Sequence, residues 1–191
     1  MSEYLKQHIA KIAPHFEKEL DSVLDYFKQK KIEKGEVIVL ANESVDTFYF
    51  VDKGCLHLYY YDNDRHPQTI HFALENWWIT EYNAFYGNPK AEFEIAAIEA
   101  CELSTISKVE FDLLLRKFPD MAIYFNVIHM KAYGAALLKQ KVASTTSKKD
   151  FHYYFMTHYP DFVSRIPDDI LASYMGISIE EFHFFNQQLL S

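Results

Sequence analysis

Nine histidines and two cysteines invite a metal or a nucleophile, but their spacing spells neither. A metal site in a strand-rich protein would need a histidine pair two residues apart, with a carboxylate and another histidine behind it. His57-Leu58-Tyr59 lacks the second histidine, and His66 and His71 straddle a turn with no carboxylate at useful spacing. No HExxH and no glycine-flanked serine occurs. Cys55 and Cys101 lie far apart, form no CxxC pair and read as buried thiols. No catalytic constellation is expected, so the remaining chemistry is that of binding. One stretch, residues 75–119, sets Glu81, Tyr82, Lys90, Ala91 and Glu92 between strand-like runs. The aromatic group Trp77, Trp78, Tyr82, Phe85 and Tyr86 reads first as core, with a ligand pocket as the alternative. A second stretch, residues 166–188, offers Ser178, His183, Asn186 and Gln187 on a helical segment.

The elements that must position these residues follow from periodicity. Leu5, Ile9, Ile12, Phe16, Leu20, Val23, Leu24 and Phe27 fall at helical spacing, and Pro14 splits the run into two short helices. The basic run Lys28-Gln29-Lys30-Lys31 reads as a solvated helix end. Strand-like runs follow at 37–40, 48–51, 55–61 and 68–72, with turn residues between them. That spacing predicts an antiparallel sandwich or barrel. Gly54 suits a tight turn that demands positive φ.

From Pro119 to Ala143 a long helix is expected, with Ile123, Val127, Met130, Gly134 and Leu138 along one side. A small barrel covers only part of such a face, so pairing with a second copy is expected, and packing on its own barrel is the alternative. Ser144 to Ser147 form a polar break suited to a hinge and an N-cap. A helix over 148–159 ends at Pro160. Then Pro167 opens a helix, Ala172 is small where two helices cross, Gly176 takes a turn, and Ser178 caps a second helix with Glu181 at the capping-box position. This reads as helix-turn-helix.

A chain of 191 residues that is 49% hydrophobic and 17% aromatic can build a real core. No apolar run is long enough to span a bilayer, and residues 1–6 lack a signal-peptide pattern, so a cytoplasmic protein with no membrane partner is expected. Net charge is −8, unevenly spread. Basic and acidic residues number 10 and 18 through Thr105, 6 and 3 from Ile106 to Ala143, and 3 and 6 thereafter. A nucleic-acid-binding tail usually shows the opposite bias.

The order of these elements, with the hairpin pattern Phe50-Val51-x-x-Gly54-x-Leu56, resembles the Crp/Fnr family of bacterial transcription regulators. The resemblance implies an α+β chain. An N-terminal antiparallel β-barrel or jelly roll of the cyclic-nucleotide-binding type would occupy residues 1–118. A dimerisation helix would occupy 119–143 and a helix-turn-helix domain 144–191. It also implies a homodimer that binds duplex DNA and answers to a small effector. Two departures qualify this. Family members that bind cyclic nucleotides carry a Gly-Glu pair, whose glutamate accepts from ribose, and an arginine followed by a small hydroxyl residue at the phosphate. Here the matching positions are Thr80-Glu81, Ala91 and Glu92. The arginine is gone, so cyclic AMP is not expected and the effector is unknown. In the tail, no lysine or arginine follows Arg165. A scaffold of the same fold, acting through protein or small-ligand contacts, is the alternative.

Overall fold

Short runs rich in aromatic and aliphatic residues build most strands of this protein in a computed structural model, which describes residues 2–16, 18–87 and 89–189. The strands are β1 (Lys28–Ile32), β2 (Val37–Val39), β3 (Thr47–Lys53), β4 (Leu56–Tyr61), β5 (Pro67–Ala73), β6 (Trp78–Ile79), β7 (Glu94–Ala97) and β8 (Cys101–Ser107). They form two four-stranded sheets, in the orders β1-β8-β3-β6 and β2-β7-β4-β5. Pairing in the first sheet is antiparallel, with Phe50 opposite both Trp78 and Ser104. The sheets are not closed into a barrel, which corrects that expectation. A barrel needs an unbroken hydrogen-bonded ladder around its circumference, and here each sheet ends in two edge strands.

The basic run at residues 28–31 is also corrected: it is strand β1, not a helix end. Lys28 pairs with Thr105 and Lys31 with Glu102 along β8. Lys28 and Lys31 reach Glu110 and Glu102, each at 3.0 Å. Lysines suit this place because an edge strand bears unpaired backbone groups, and charge discourages a further strand from adding there.

The helices are α1 (Glu3–Ile12), α2 (Leu20–Leu24), α3 (Tyr82–Tyr86), α4 (Lys108–Lys117), α5 (Met121–Thr145), α6 (Lys148–His158), α7 (Pro160–Val163), α8 (Asp168–Met175) and α9 (Ile179–Leu189). Pro14 opens a 3-10 turn, Pro14–Phe16, between α1 and α2. Ser107 and Glu110 close a reciprocal capping box on α4. The long helix starts two residues after Pro119 and continues two residues past the expected end. Pro160 opens α7 as well as ending α6. Ser147 caps α6, accepting from the Asp150 amide at 3.1 Å. Among the described residues no helix is long and apolar enough to cross a membrane.

The chain divides into two compact units, Met1–Leu58 with Phe72–Lys131, and Tyr59–His71 with Ala132–Ser191. The first unit has two apolar clusters. One gathers Leu5, Ile9 and Val23 with Phe48, Phe50, Trp78, Phe111 and Phe125. The other includes Val51, Leu56, Ile79, Ala84, Ala91, Ile95 and Leu103. The N-terminal helix is tied to this core by a polar contact. Ser2 caps α1 by accepting from the Leu5 amide at 3.0 Å. The same hydroxyl donates to Asp52, which also accepts from Ser104 at 2.7 Å. Burial raises the Asp52 pKa, and these hydroxyls act against that rise.

Gly54, between β3 and β4, has φ +104. A Cβ there would lie 2.5 Å from Cys101 Sγ and 2.8 Å from the Ala100 carbonyl oxygen. Gly54→Ala is therefore expected to lower the unfolding free energy by about 2 kcal/mol or more, the left-handed strain and the clash adding together. Urea unfolding monitored by far-UV circular dichroism measures it. A loss below about 0.5 kcal/mol would mean that the turn adapts freely.

Candidate functional site

The first stretch marked by the sequence folds as β6, a tight corner and α3, and its side chains part company. Glu81 is 3% exposed and caps α3, its Oε2 accepting from the Ala84 amide at 2.6 Å. Tyr82 is half-buried, and its ring meets Phe48 at 5.6 Å and His129 at 5.5 Å. Lys90 and Glu92 are exposed. Between them Ala91 is buried in the inter-sheet cluster, its backbone exchanging hydrogen bonds with residues 42 and 43. The alternating burial is that of an extended segment, which turns neighbouring side chains to opposite faces. Among the described residues no lysine or arginine is fully buried.

The aromatic group divides in the same way. Trp78 and Phe85 are buried, and Trp77 and Tyr86 are exposed. Phe48 is the hub of the buried set, its ring centroid 4.7 Å from Trp78, 5.6 Å from Phe85 and 6.0 Å from Phe125. Core packing thus accounts for Trp78 and Phe85.

Sequence reasoning missed the polar junction beside this core. Tyr124, fully buried on α5, accepts from Trp78 Nε1 at 2.9 Å. Its hydroxyl lies 2.7 Å from Nδ1 of His8 on α1. The phenol has one proton, and giving it to a bare His8 Nδ1 leaves the Trp78 donor, the hydroxyl and the imidazole all paired. In that arrangement the imidazole is neutral, with its proton on Nε2. Burial pulls the His8 pKa down to about 4, with Lys131 and Lys11 adding repulsion. Burial also raises the Tyr124 pKa. One hydroxyl thus joins α1, strand β6 and helix α5. The periodic pattern marked this region only as apolar, and nothing local signals partners 116 residues apart.

In the second unit, α8 ends at Gly176, which has φ +67. The Ser178 hydroxyl accepts from the Glu181 amide at 3.1 Å, and the Glu181 carboxylate accepts from the Ser178 amide at 3.0 Å. Asn186 turns toward α6, its Oδ1 2.9 Å from His152 Nε2, which must carry the proton. His183 is exposed and sits 3.1 Å from Asp168. Gln187 is exposed and Phe182 is fully buried. On α5, Ile123 is 57%, Met130 65% and Leu138 62% exposed, Gly134 is exposed and Val127 is half-buried.

Two outcomes follow from the Tyr124 junction. Tyr124→Phe leaves the Trp78 donor and the His8 acceptor unpaired, and should cost about 1–3 kcal/mol of stability, read by urea unfolding. The pH effect has a definite sign. The folded pKa of His8 lies below its free value near 6.5, so the unfolded chain binds more protons between pH 6.5 and 4. Stability should be held above pH 6.5 and fall as pH drops toward 4. His8→Gln should remove that share of the slope. Parallel slopes for the two proteins would mean that His8 titrates as if free.

Residues 29–118 match the family described as the cyclic nucleotide-binding domain. No curated protein matches the chain by sequence. Among solved structures, the c-di-GMP-responsive global regulator CLP of Xanthomonas campestris superposes with a TM-score of 0.74 at 16% identity, over 91% of each chain. FixK2 of Bradyrhizobium japonicum gives 0.73 at 14% identity, over 85% of this chain and 84% of that one. The catabolite activator protein of Thermus thermophilus gives 0.59 at 18% identity, over 96% and 86%. Residues 29–118 carry a cyclic-nucleotide-binding fold, and the chain resembles the Crp/Fnr transcription regulators in its architecture.

Proposed function

We propose that the chain is a homodimeric transcription regulator of Crp/Fnr type, in which residues 1–118 sense an effector, 119–143 pair with a second copy and 144–191 read duplex DNA. The observation that carries this reading is the exposed apolar stripe of α5. Ile123, Val127, Met130, Gly134 and Leu138 recur every three or four residues, the spacing of one helical face. Covering an exposed Ile, Met or Leu contributes about 1.5–3 kcal/mol each. A Cβ built on Gly134 meets nothing within 4 Å, so the chain's own packing does not demand a glycine there. Close approach by a second helix would.

The α8–Gly176–α9 pair has the marks of a helix-turn-helix: a left-handed glycine at the turn, the reciprocal Ser178–Glu181 cap, and Ala172 and Phe182 buried. In this reading Ser178, His183 and Gln187 face DNA. Asn186 reaches it only by leaving His152. One feature favours a second reading, a scaffold that contacts proteins instead. The exposed side of α9 carries Glu180, Glu181 and Phe184, the last 54% exposed, and no lysine or arginine, whereas affinity for duplex DNA rests largely on neutralising phosphates. Sedimentation with a low-salt gel shift on promoter DNA separates the readings. A regulator sediments as a dimer and gives a salt-sensitive shift, and Met130→Glu with Leu138→Glu abolishes both. A monomer, or a dimer with no shift at any salt, would overturn it.

The effector is not cyclic AMP in this proposal, and it acts by shifting the equilibrium between two dispositions of the long helix. Support comes from Ala91 in the apolar cluster where the family's arginine would stand, and from Glu81 Oε2, which is engaged by the Ala84 amide. Losing a charge-assisted bond to phosphate costs about 1.5–3 kcal/mol, and repulsion from a nearby carboxylate adds to it. Binding at least ~100-fold weaker than with the cation in place is expected. Titration calorimetry of the native chain against Ala91→Arg with Glu92→Ser should show the variant binding cyclic AMP more tightly. Micromolar binding by the native chain would contradict the assignment.

A further inference from the structure

Strand β5 lies at the edge of the second sheet, so one side of its backbone lacks a strand partner. A single hydroxyl supplies two of the missing bonds. Ser173 Oγ, on α8, accepts from the Thr69 amide at 2.7 Å and donates to the Pro67 carbonyl at 3.0 Å. Residues 67 and 69 are two apart, the spacing at which a strand turns backbone groups to one side. The hydroxyl therefore stands where a neighbouring strand would. Nearby, Lys139 on α5 donates to the Ile70 carbonyl at 2.9 Å, and its ammonium lies 3.6 Å from the centroid of the Tyr174 ring. This is no idle surface lysine. Burial draws its pKa down to about 8, and the carbonyl and the ring face offset part of the cost of removing the cation from water. All of these residues belong to one compact unit.

We propose that residues 67–70 form a clasp on α8, held by Ser173 and Lys139, and that opening it frees the α8–α9 pair to turn. The clasp joins backbone to side chain, so it tolerates changes of strand side chain while depending on the hydroxyl and the ammonium. Two adjacent residues of α8, Ser173 and Tyr174, take part, and a displacement of residues 67–70 is therefore passed directly to that helix. The regulatory meaning rests on the reading of α8–α9 as the DNA reader, and the clasp itself does not.

Native-state amide exchange on the full chain tests the clasp without DNA. The proteins are the native chain, Ser173→Ala, Lys139→Met and the double variant, with Ser173→Thr and Lys139→Arg as conservative controls. The Thr69 amide is expected to exchange at least ~10-fold faster in Ser173→Ala. The amides of Leu171, Ala172 and Phe182 should speed up by about the same factor in the double variant, while those of α1 stay unchanged. Ser173→Thr should restore protection. If the double variant does not fold, the two single variants carry the same comparison at smaller amplitude. Full protection of α8 and α9 while the Thr69 amide is released would overturn the proposal, as would an unprotected Thr69 amide in the native chain. A failed gel shift removes the DNA reading and leaves the exchange result standing. Unchanged exchange removes the clasp and leaves the DNA reading standing.

Discussion

The first unit depends on a buried phenol that cannot be left alone. Taking the Tyr124 hydroxyl out of water without partners would cost about 1–3 kcal/mol, and the fold answers with two partners on two different elements. Trp78 gives a proton and His8 takes one. The ring of Tyr124 meets Phe125 and His8 edge-on, at 5.0 and 5.7 Å, so packing fixes the orientation that the hydrogen bonds require. Helices α1 and α5 are thereby referred to strand β6, which leads into Glu81 and α3. Tyr82 of α3 and Phe48 of β3 also meet His129 of the long helix, at 5.5 and 6.3 Å.

The proposed sites share an electrostatic theme. At the corner of the cyclic-nucleotide-binding fold an alanine stands in the core, a glutamate faces solvent and one oxygen of the buried Glu81 serves its own helix. On α9 the N-terminal turn is crowded by Glu180 and Glu181, where an anion would otherwise find the helix dipole favourable. No lysine or arginine stands on α9, and at the corner the exposed cation is Lys90. For the regulator reading this puts the burden of DNA affinity on neutral hydrogen bonding and on cations elsewhere in the second unit, such as the exposed Lys141, Lys148 and Lys149.

Local chemistry was the legible part of the sequence. Gly54 and Gly176 adopt the positive φ expected of turns, and the Ser178–Glu181 cap forms as its spacing implied. Such features depend on residues within four positions of one another, and one sequence contains all of them. Long-range partners were not legible. The run at residues 28–31 has no periodicity to mark it as strand, and it becomes one because β8 lies beside it. Asn186 was a candidate DNA contact by the type of its side chain, and the sequence does not show its partner His152, 34 residues earlier. Barrel closure failed for a related reason: strand spacing along the chain does not say whether the last edge meets the first. At the candidate site Glu81 was matched to the glutamate that accepts from ribose in the resembling family, and its Oε2 accepts from the Ala84 amide of its own helix.

The lysine-bearing margin of β1 has a consequence for how copies of this chain can meet. A fibril grows when backbone edges of successive molecules zip together, and each such step here would confine Lys28, Lys30 and Lys31 against the same residues of the next copy. Such zipping would also have to displace the carboxylates of Glu110, Glu36 and Glu102 that lie beside these lysines, so the β1 margin discourages a further strand.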